Sequence, residues 1–225
     1  MPLALLALPP GGRPRGPGPV GLRPARVRGP AARGRRVGGT PPGVSLARGD
    51  RPGPRVVLPE PCLIVLVGAA GSGKSTLATR LFPPDQVLSS DAHRAMLTGD
   101  ESNQRVTRTA FAILHRQLAR RMAERVTTVV DATNVTSFAR RALVRRAAAE
   151  GIPAVAIVLD LPPVLVLARN ATRPGRIVPE GAVRRQLDDL ARSIRRGSLD
   201  ADGFAAIHVV RASAELDTLS IGRGP

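Results

Sequence analysis

Read for apolar and polar positions, the chain changes character near residue 56. Beyond it, short runs that are apolar at almost every position alternate with longer stretches whose apolar residues recur every three or four. The first kind reads as strands over Cys62–Val67, Pro153–Leu161 and Phe204–Val210, joined by a short strand in Gln86–Asp91 and one rich in β-branched residues over Val126–Thr133. The second kind predicts helices over Lys74–Leu81, Ala92–Gly99, Asn103–Glu124, Ser137–Ala149 and Glu180–Arg196, with another opening at Pro162-Pro163. In the longest, Val106, Ala110, Ile113, Leu114, Leu118 and Met122 stand at helical spacing. Gly151 is placed to end the helix over Ser137–Ala149. Strands apolar on both faces and separated by helices imply an α/β fold, a five-stranded parallel sheet covered on both sides.

The first 55 residues lack this periodicity and hold 12 of the 22 prolines and 12 of the 23 glycines. Eleven arginines there face one acid, Asp50. Such a stretch buries no core, so the expectation is a disordered tail over 1–55 and one domain over 56–225. The domain still carries 23 basic against 16 acidic side chains, a balance that favours an anionic partner. The opening MPLALLALPP has no preceding positive residue and too short an apolar run for a secretion signal, and Pro and Gly break any amphipathic transit helix. No apolar run reaches membrane-spanning length. A single cysteine, Cys62, excludes an internal disulfide and suits the cytoplasm; in its strand it reads as a small buried residue.

The chemistry starts in GAAGSGKST, Gly68–Thr76, which fits the phosphate-cradling pattern G-x-x-x-x-G-K-[ST] between a strand and a helix. Gly68, Ala69, Ala70, Gly71, Ser72 and Gly73 supply a bend whose N–H groups turn inward toward phosphate oxygens. The helix that follows aims its positive end at the same anion. Lys74 is the only lysine beside 33 arginines, and a compact ammonium fits between the β- and γ-phosphates where a planar guanidinium does not. Ser75 offers a hydroxyl to Mg²⁺, and Thr76 closes the motif. The expected cofactors are ATP and Mg²⁺.

In parallel sheets, ligands sit beyond the carboxyl ends of the strands. The second strand delivers Asp91, placed to take a proton from an acceptor hydroxyl or else to cap the next helix. Arg94 is one turn on and could clamp an anionic acceptor. The third strand delivers Asp131, suited to an outer Mg²⁺ contact, to positioning Ser75, or to a turn that Asn134 also stabilises. Between two helices, RNATRPGR sets Arg169, Arg173 and Arg176 where a mobile lid would carry charge to the phosphates. Arg120-Arg121, Arg140-Arg141 and Arg145-Arg146 read as exposed helix faces, or at most as outer nucleic-acid contacts. His93, His115 and His208 lack metal-ligand spacing.

Together GAAGSGKST, SSDAHR, GDESNQRVT, VVDATN and RNATRPGR, within about Leu63–Val210, resemble the kinase domain of bacterial polynucleotide kinase-phosphatases. The resemblance implies a P-loop kinase-type three-layer fold and transfer of the ATP γ-phosphate to a polynucleotide 5′-hydroxyl. It implies Lys74 and Ser75 at the phosphates and Mg²⁺, Asp91 as general base, and Arg94 on the acceptor strand. The lid arginines would be Arg169 and Arg173, with Arg176 a third candidate. The expected partner is therefore a nucleic-acid 5′ end. With no Trp or Tyr and four Phe, contact would rest mainly on phosphates rather than on stacking. Two rival readings stand beside this one: a small-molecule kinase for an antibiotic or sugar, and a non-catalytic nucleic-acid-binding protein switched by nucleotide.

Overall fold

A computed structural model describes residues 53–98, 107–174 and 177–224 of the 225. After a first strand, β1 (Arg55–Leu58), five parallel strands build the main sheet. They are β2 (Leu63–Val67), β3 (Val87–Ser89), β4 (Thr128–Asp131), β5 (Ala154–Leu159) and β6 (Ala206–Val210), in the order β3-β4-β2-β5-β6. The register aligns Ile64 with Val129 on one side and with Val155 on the other. The alternation along β2 explains its continuous apolarity. Leu63, Val65 and Val67 pack on one face of the sheet, and Ile64 and Leu66 on the other.

On the Ile64 face lie α1 (Lys74–Leu81) and α5 (Pro163–Ala171), through Leu77, Ala78 and Val166. On the Leu63 face lie α3 (Thr107–Ala123) and α4 (Ser137–Ala149), through Leu114, Leu118, Met122, Leu143 and Val144. Helix α6 (Glu180–Arg195) contributes Val183 to one core and Leu190 to the other. The short α2 (Ser90–Thr98) leads from β3 and packs on α3. The expected three-layer α/β fold is present, and its sheet has the five strands read from the pattern. Helix α4 spans the predicted residues; Thr136 Oγ1 accepts from the Ala139 N–H at its start, and Gly151 past its end has φ 64°. No helix among the described residues is long and apolar enough to cross a membrane.

Four local expectations need correction. The second strand is shorter than predicted, because helix begins at Ser90, where the Ser89 hydroxyl accepts from the Ala92 N–H. Arg169 and Asn170 belong to α5 rather than to the loop, which opens at Thr172. The structure also adds α7 (Ser213–Thr218) and β7 (Ser220–Arg223), and β7 pairs in parallel with β1 as a two-stranded ribbon. The first of these strands starts at Arg55, the last residue assigned to the tail; its partner stands at the far end of the sequence, where local pattern cannot reveal it. Arg140, read as an exposed helix residue, is fully buried: its Nε lies 2.6 Å from Asp202, and its Nη1 donates to the carbonyls of Asn134 and Val135. The expected helix residues 103–106 and the remaining tail residues 1–52 lie outside the described residues.

Two buried groups carry chemical consequences. Burial, reinforced by Glu60, pushes the Cys62 thiol up to about 11, so it stays a protonated, unreactive packing residue at neutral pH. The second is Asp202, whose buried carboxylate serves Arg140, Arg141 and the Ser137 hydroxyl together. Removing it leaves the Arg140 guanidinium charged in the core. Asp202→Ala should therefore cost about 3–5 kcal/mol. Arg141→Ala, which deletes the half-exposed arm of the cluster, should cost less than about 1 kcal/mol. Urea unfolding midpoints of the two variants check the difference; similar shifts would contradict it.

Candidate active site

The strand that delivers the phosphate loop has no freedom in its direction, being buried between β4 and β5. Past Val67 the chain turns through Gly68–Gly73 and enters α1 at Lys74. Gly73 occupies the helix N-cap at φ 94°, a left-handed conformation that glycine adopts without penalty. Gly71 is also left-handed, at φ 84°, and a Cβ there would stand 2.6 Å from the Val166 carbonyl oxygen of α5. The loop thus lies directly on the helix that leads into the arginine loop. A second tether comes from α6, where Gln186 Oε1 accepts from the Ala70 N–H at 2.8 Å.

Lys74 curls into its own loop. Its Nζ donates to the Ala69 carbonyl at 2.8 Å and lies 3.4 Å from Ser72 Oγ, leaving the residue 7% exposed. Beside it, Ser75 Oγ donates to Asp131 Oδ2 at 2.7 Å, joining the first turn of α1 to the end of β4. Of the readings open for Asp131, this one positions Ser75. The adjacent turn is held by Asn134, at φ 47°, whose Nδ2 donates to Leu66 O at 2.9 Å and to Ala132 O at 3.3 Å.

Asp91 is the second residue of α2, so it does not serve as that helix's N-cap. It forms an ion pair with Arg94 one turn on, and Arg94 is itself 4% exposed. On its other oxygen, Oδ2, it faces Arg173 Nη2 from the arginine loop at 3.8 Å. Helix α2 is oriented by His93, whose Nδ1 lies 2.6 Å from the Ser89 carbonyl and whose Nε2 lies 2.9 Å from Gln117 of α3. Arg169 points from α5 to Ser213 Oγ at 2.7 Å. Asn170 ties off the arginine loop: Nδ2 donates to Val178 O at 2.7 Å, and Oδ1 accepts from Val178 N at 3.2 Å.

These residues share one cleft of about 680 Å³ at the carboxyl ends of the strands. Ala70, Gly71, Gly73, Lys74, Ser75 and Thr76 line it from the loop, and Asp91, Arg94, Asp131, Arg169 and Arg173 from the surrounding elements. Gly68, Ala69 and Ser72 do not line it; Ala69 and Ser72 are fully buried behind it. Arg176 lies outside the described residues.

The cleft also includes residues the sequence did not single out: Arg80, Phe111, Thr133, Gln186, Leu216 and Asp217. Arg80 brings the last two into place by donating to the carbonyls of Leu216 and Asp217 in α7. The start of α7 is set by Glu215, which accepts from the Arg211 and Ala212 N–H groups and is held below the usual carboxylate range by those two bonds. A lone Gln in an amphipathic helix and a six-residue terminal helix carry no local sequence signal of a site.

Chemically, the cleft joins an anion cradle to a carboxylate bracketed by guanidinium groups. Ser75 and Asp131 are oxygen donors, the class a hard divalent cation takes, and few protein ligands suffice when phosphates supply the rest. Among the described residues no group of three His, Cys, Asp or Glu could hold a metal without such help.

Comparison with solved structures supports the fold. The Pnkp1/Rnl/Hen1 RNA repair complex contains a chain similar over 68% of this one, at 22% identity and a TM-score of 0.52. This chain spans 49% of that one. The AvrRxo1-ORF1:AvrRxo1-ORF2 structure with sulphate ions matches over 68% of this chain and 55% of its own, at 16% identity and a TM-score of 0.55. The PezAT toxin-antitoxin system of Streptococcus pneumoniae matches over 74% and 72%, at 15% identity and a TM-score of 0.51. No curated protein matches the chain by sequence. Residues 63–196 match the AAA domain family AAA_33, and with more than half of its length inside that match the chain belongs to this family as a P-loop kinase-type domain.

Proposed function

We propose that the protein transfers the γ-phosphate of ATP to the 5′-hydroxyl of a polynucleotide end, with Mg²⁺. The observation that carries this reading is the placement of Asp91: it lines the same cleft as Lys74 and is bracketed by Arg94 and Arg173. A phosphate donor on the loop faces a proton acceptor accompanied by cations, which suits a hydroxyl attached to a phosphodiester chain. The similarity to a chain of an RNA repair complex is consistent with this substrate class.

In this mechanism the N–H groups of Gly71–Lys74 and the positive end of α1 hold the donor phosphates. Lys74 exchanges its contacts with Ala69 and Ser72 for β- and γ-phosphate oxygens. Ser75 and Asp131 would hold the Mg²⁺, which when bound neutralises phosphate charge. Asp91 accepts the proton of the attacking hydroxyl while Arg94 steadies the acceptor. Arg173 leaves Asp91 for the transferring phosphoryl group, and Arg169 adds charge from α5. Arg176 would join them from the loop.

A screen with labelled ATP tests the reading. Label should pass to 5′-hydroxyl oligonucleotides; transfer to sugars or antibiotic alcohols, with oligonucleotides left untouched, would replace it with a small-molecule kinase. Nucleotide-dependent strand binding without any transfer would replace it with a switched binding protein.

Two sets of variants follow from the geometry. Lys74→Arg should lose nearly all transfer although charge is conserved, because the pocket formed by Ala69 and Ser72 encloses a point charge and has no room for a planar fork. Steady-state turnover checks it, and near-normal rates would contradict it.

Asp91→Asn and Arg94→Ala should fail differently. The nearly isosteric amide cannot take the proton, so ATP should still bind while kcat falls by about 10²–10⁴-fold. Arg94→Ala should impair transfer to an oligonucleotide more than slow hydrolysis of ATP by water. Equal losses in both assays would place Arg94 on the nucleotide side.

A further inference from the structure

Helices α3 and α4 differ from the rest of the surface in charge. Their sequences, TRTAFAILHRQLARRMA and SFARRALVRRAAA, contain eight arginines and no acidic residue. Helix α6, also exposed, carries three acids beside its four arginines and pairs two of them on the helix itself, Arg184 with Glu180 and Arg192 with Asp189. On α4, Arg140 and Arg141 are neutralised by Asp202, but Arg145 and Arg146 are exposed and pair with no described carboxylate. Between the two helices runs a groove of about 570 Å³. Arg145, Arg146 and His115 line it together with Ala119, Ala142 and Ala149, and Glu150 is the one carboxylate, at its end. Alanines keep the groove open enough for a backbone to approach.

Helix α3 reaches both the groove and the cleft. Phe111 lines the cleft, and His115, one turn or about 6 Å along the axis, lines the groove. On α4, the residue one turn before Ala142 on the same face is Phe138, 82% exposed in a chain with only four phenylalanines. An exposed aromatic ring about two turns along the same helix from exposed arginines is a composition suited to single strands, with rings for bases and cations for phosphates. Burial, then Arg146, lowers the His115 imidazole below its ordinary value, so the charge of the groove comes from its arginines at neutral pH.

We infer that the α3–α4 groove is a second binding surface, which takes the backbone of a single-stranded nucleic acid trailing from the acceptor end, with Phe138 stacking on a base. This rests on the polynucleotide reading of the cleft. It changes the expected acceptor from a bare end to an end with a tail several nucleotides long.

The test compares full-length protein with Arg145→Ala/Arg146→Ala, Arg145→Lys/Arg146→Lys and Phe138→Ala, so that the basic N-terminal residues contribute equally throughout. Binding of a 5′-hydroxyl strand of about 16 nucleotides, a span typical of single-strand binding modules, is followed by fluorescence anisotropy without ATP. The double alanine variant should bind about tenfold or more weakly at low salt, and its salt dependence should flatten by about 1.4 in the log–log slope, 0.7 for each lost phosphate contact. The lysine pair should bind as the unmodified protein does. Phe138→Ala should weaken binding by about tenfold. Turnover of a dinucleotide acceptor should be unchanged in all three.

Unchanged affinity and slope in the double alanine variant would overturn the inference. So would a loss equally large in the lysine pair, or one shared by the dinucleotide. Displacement of the strand by polyglutamate of equal charge, with Phe138→Ala silent, would make the groove a site for acidic proteins instead. The two readings fail separately. Long-strand binding that depends on Arg145 and Arg146, without phosphate transfer to any strand end, would remove the kinase reading and keep the groove. Transfer with unaltered binding in the variants would do the reverse.

Discussion

A cation held at the end of a buried strand organises this molecule. The Lys74 ammonium sits almost out of solvent, facing the Ala69 carbonyl, where the N–H groups of the loop and the start of α1 converge. Such a concentration of positive partial and full charge is tolerated because the loop is fixed on three sides. Strand β2 fixes its entry, α5 presses on Gly71, and Gln186 of α6 holds the Ala70 amide. The supports come from the sheet and from two helices, so the sheet and both α5 and α6 must be assembled before the cradle has its shape.

The Asp91 side of the cleft is held by polar contacts instead. Asp91 is drawn between Arg94 on its own helix and Arg173 on the arginine loop, and His93 bolts that helix to α3 through Gln117. The loop is anchored by the reciprocal Asn170–Val178 pair, which fixes both of its ends while leaving Arg173 partly exposed. The glycine-rich loop and the Arg173 segment therefore line one cleft but are held by different means, the first by backbone packing and the second by side-chain hydrogen bonds.

Most of this could be read from the sequence where a local pattern has one physical meaning. Strands apolar on both faces, alternating with helices, call for a covered parallel sheet, and Gly151 marked the end of α4. The P-loop spacing located the cradle. What escaped notice depended on distant partners. Arg140 looks like any arginine in SFARRALVRR until Asp202 is brought to it from beyond α6. Gln186, Arg80 and Asp217 reach the cleft through folding alone, and β1 with β7 are four-residue strands whose pairing spans the domain. Local propensity reads neighbours in sequence, and these residues have theirs in space.

That ribbon has a consequence for the cleft. Arg55 pairs with Ser220, so the ribbon closes the longest loop in the domain, and loop closure grows costlier with length. Two strands alone are marginal, and this pair persists because Val56 and Leu58 bury themselves against the main core. Helix α7, just ahead of β7, gives the cleft Leu216 and Asp217. The wall beside the phosphate loop therefore rests on a pairing between the two segments of the domain that lie farthest apart in sequence, Arg55–Leu58 and Ser220–Arg223.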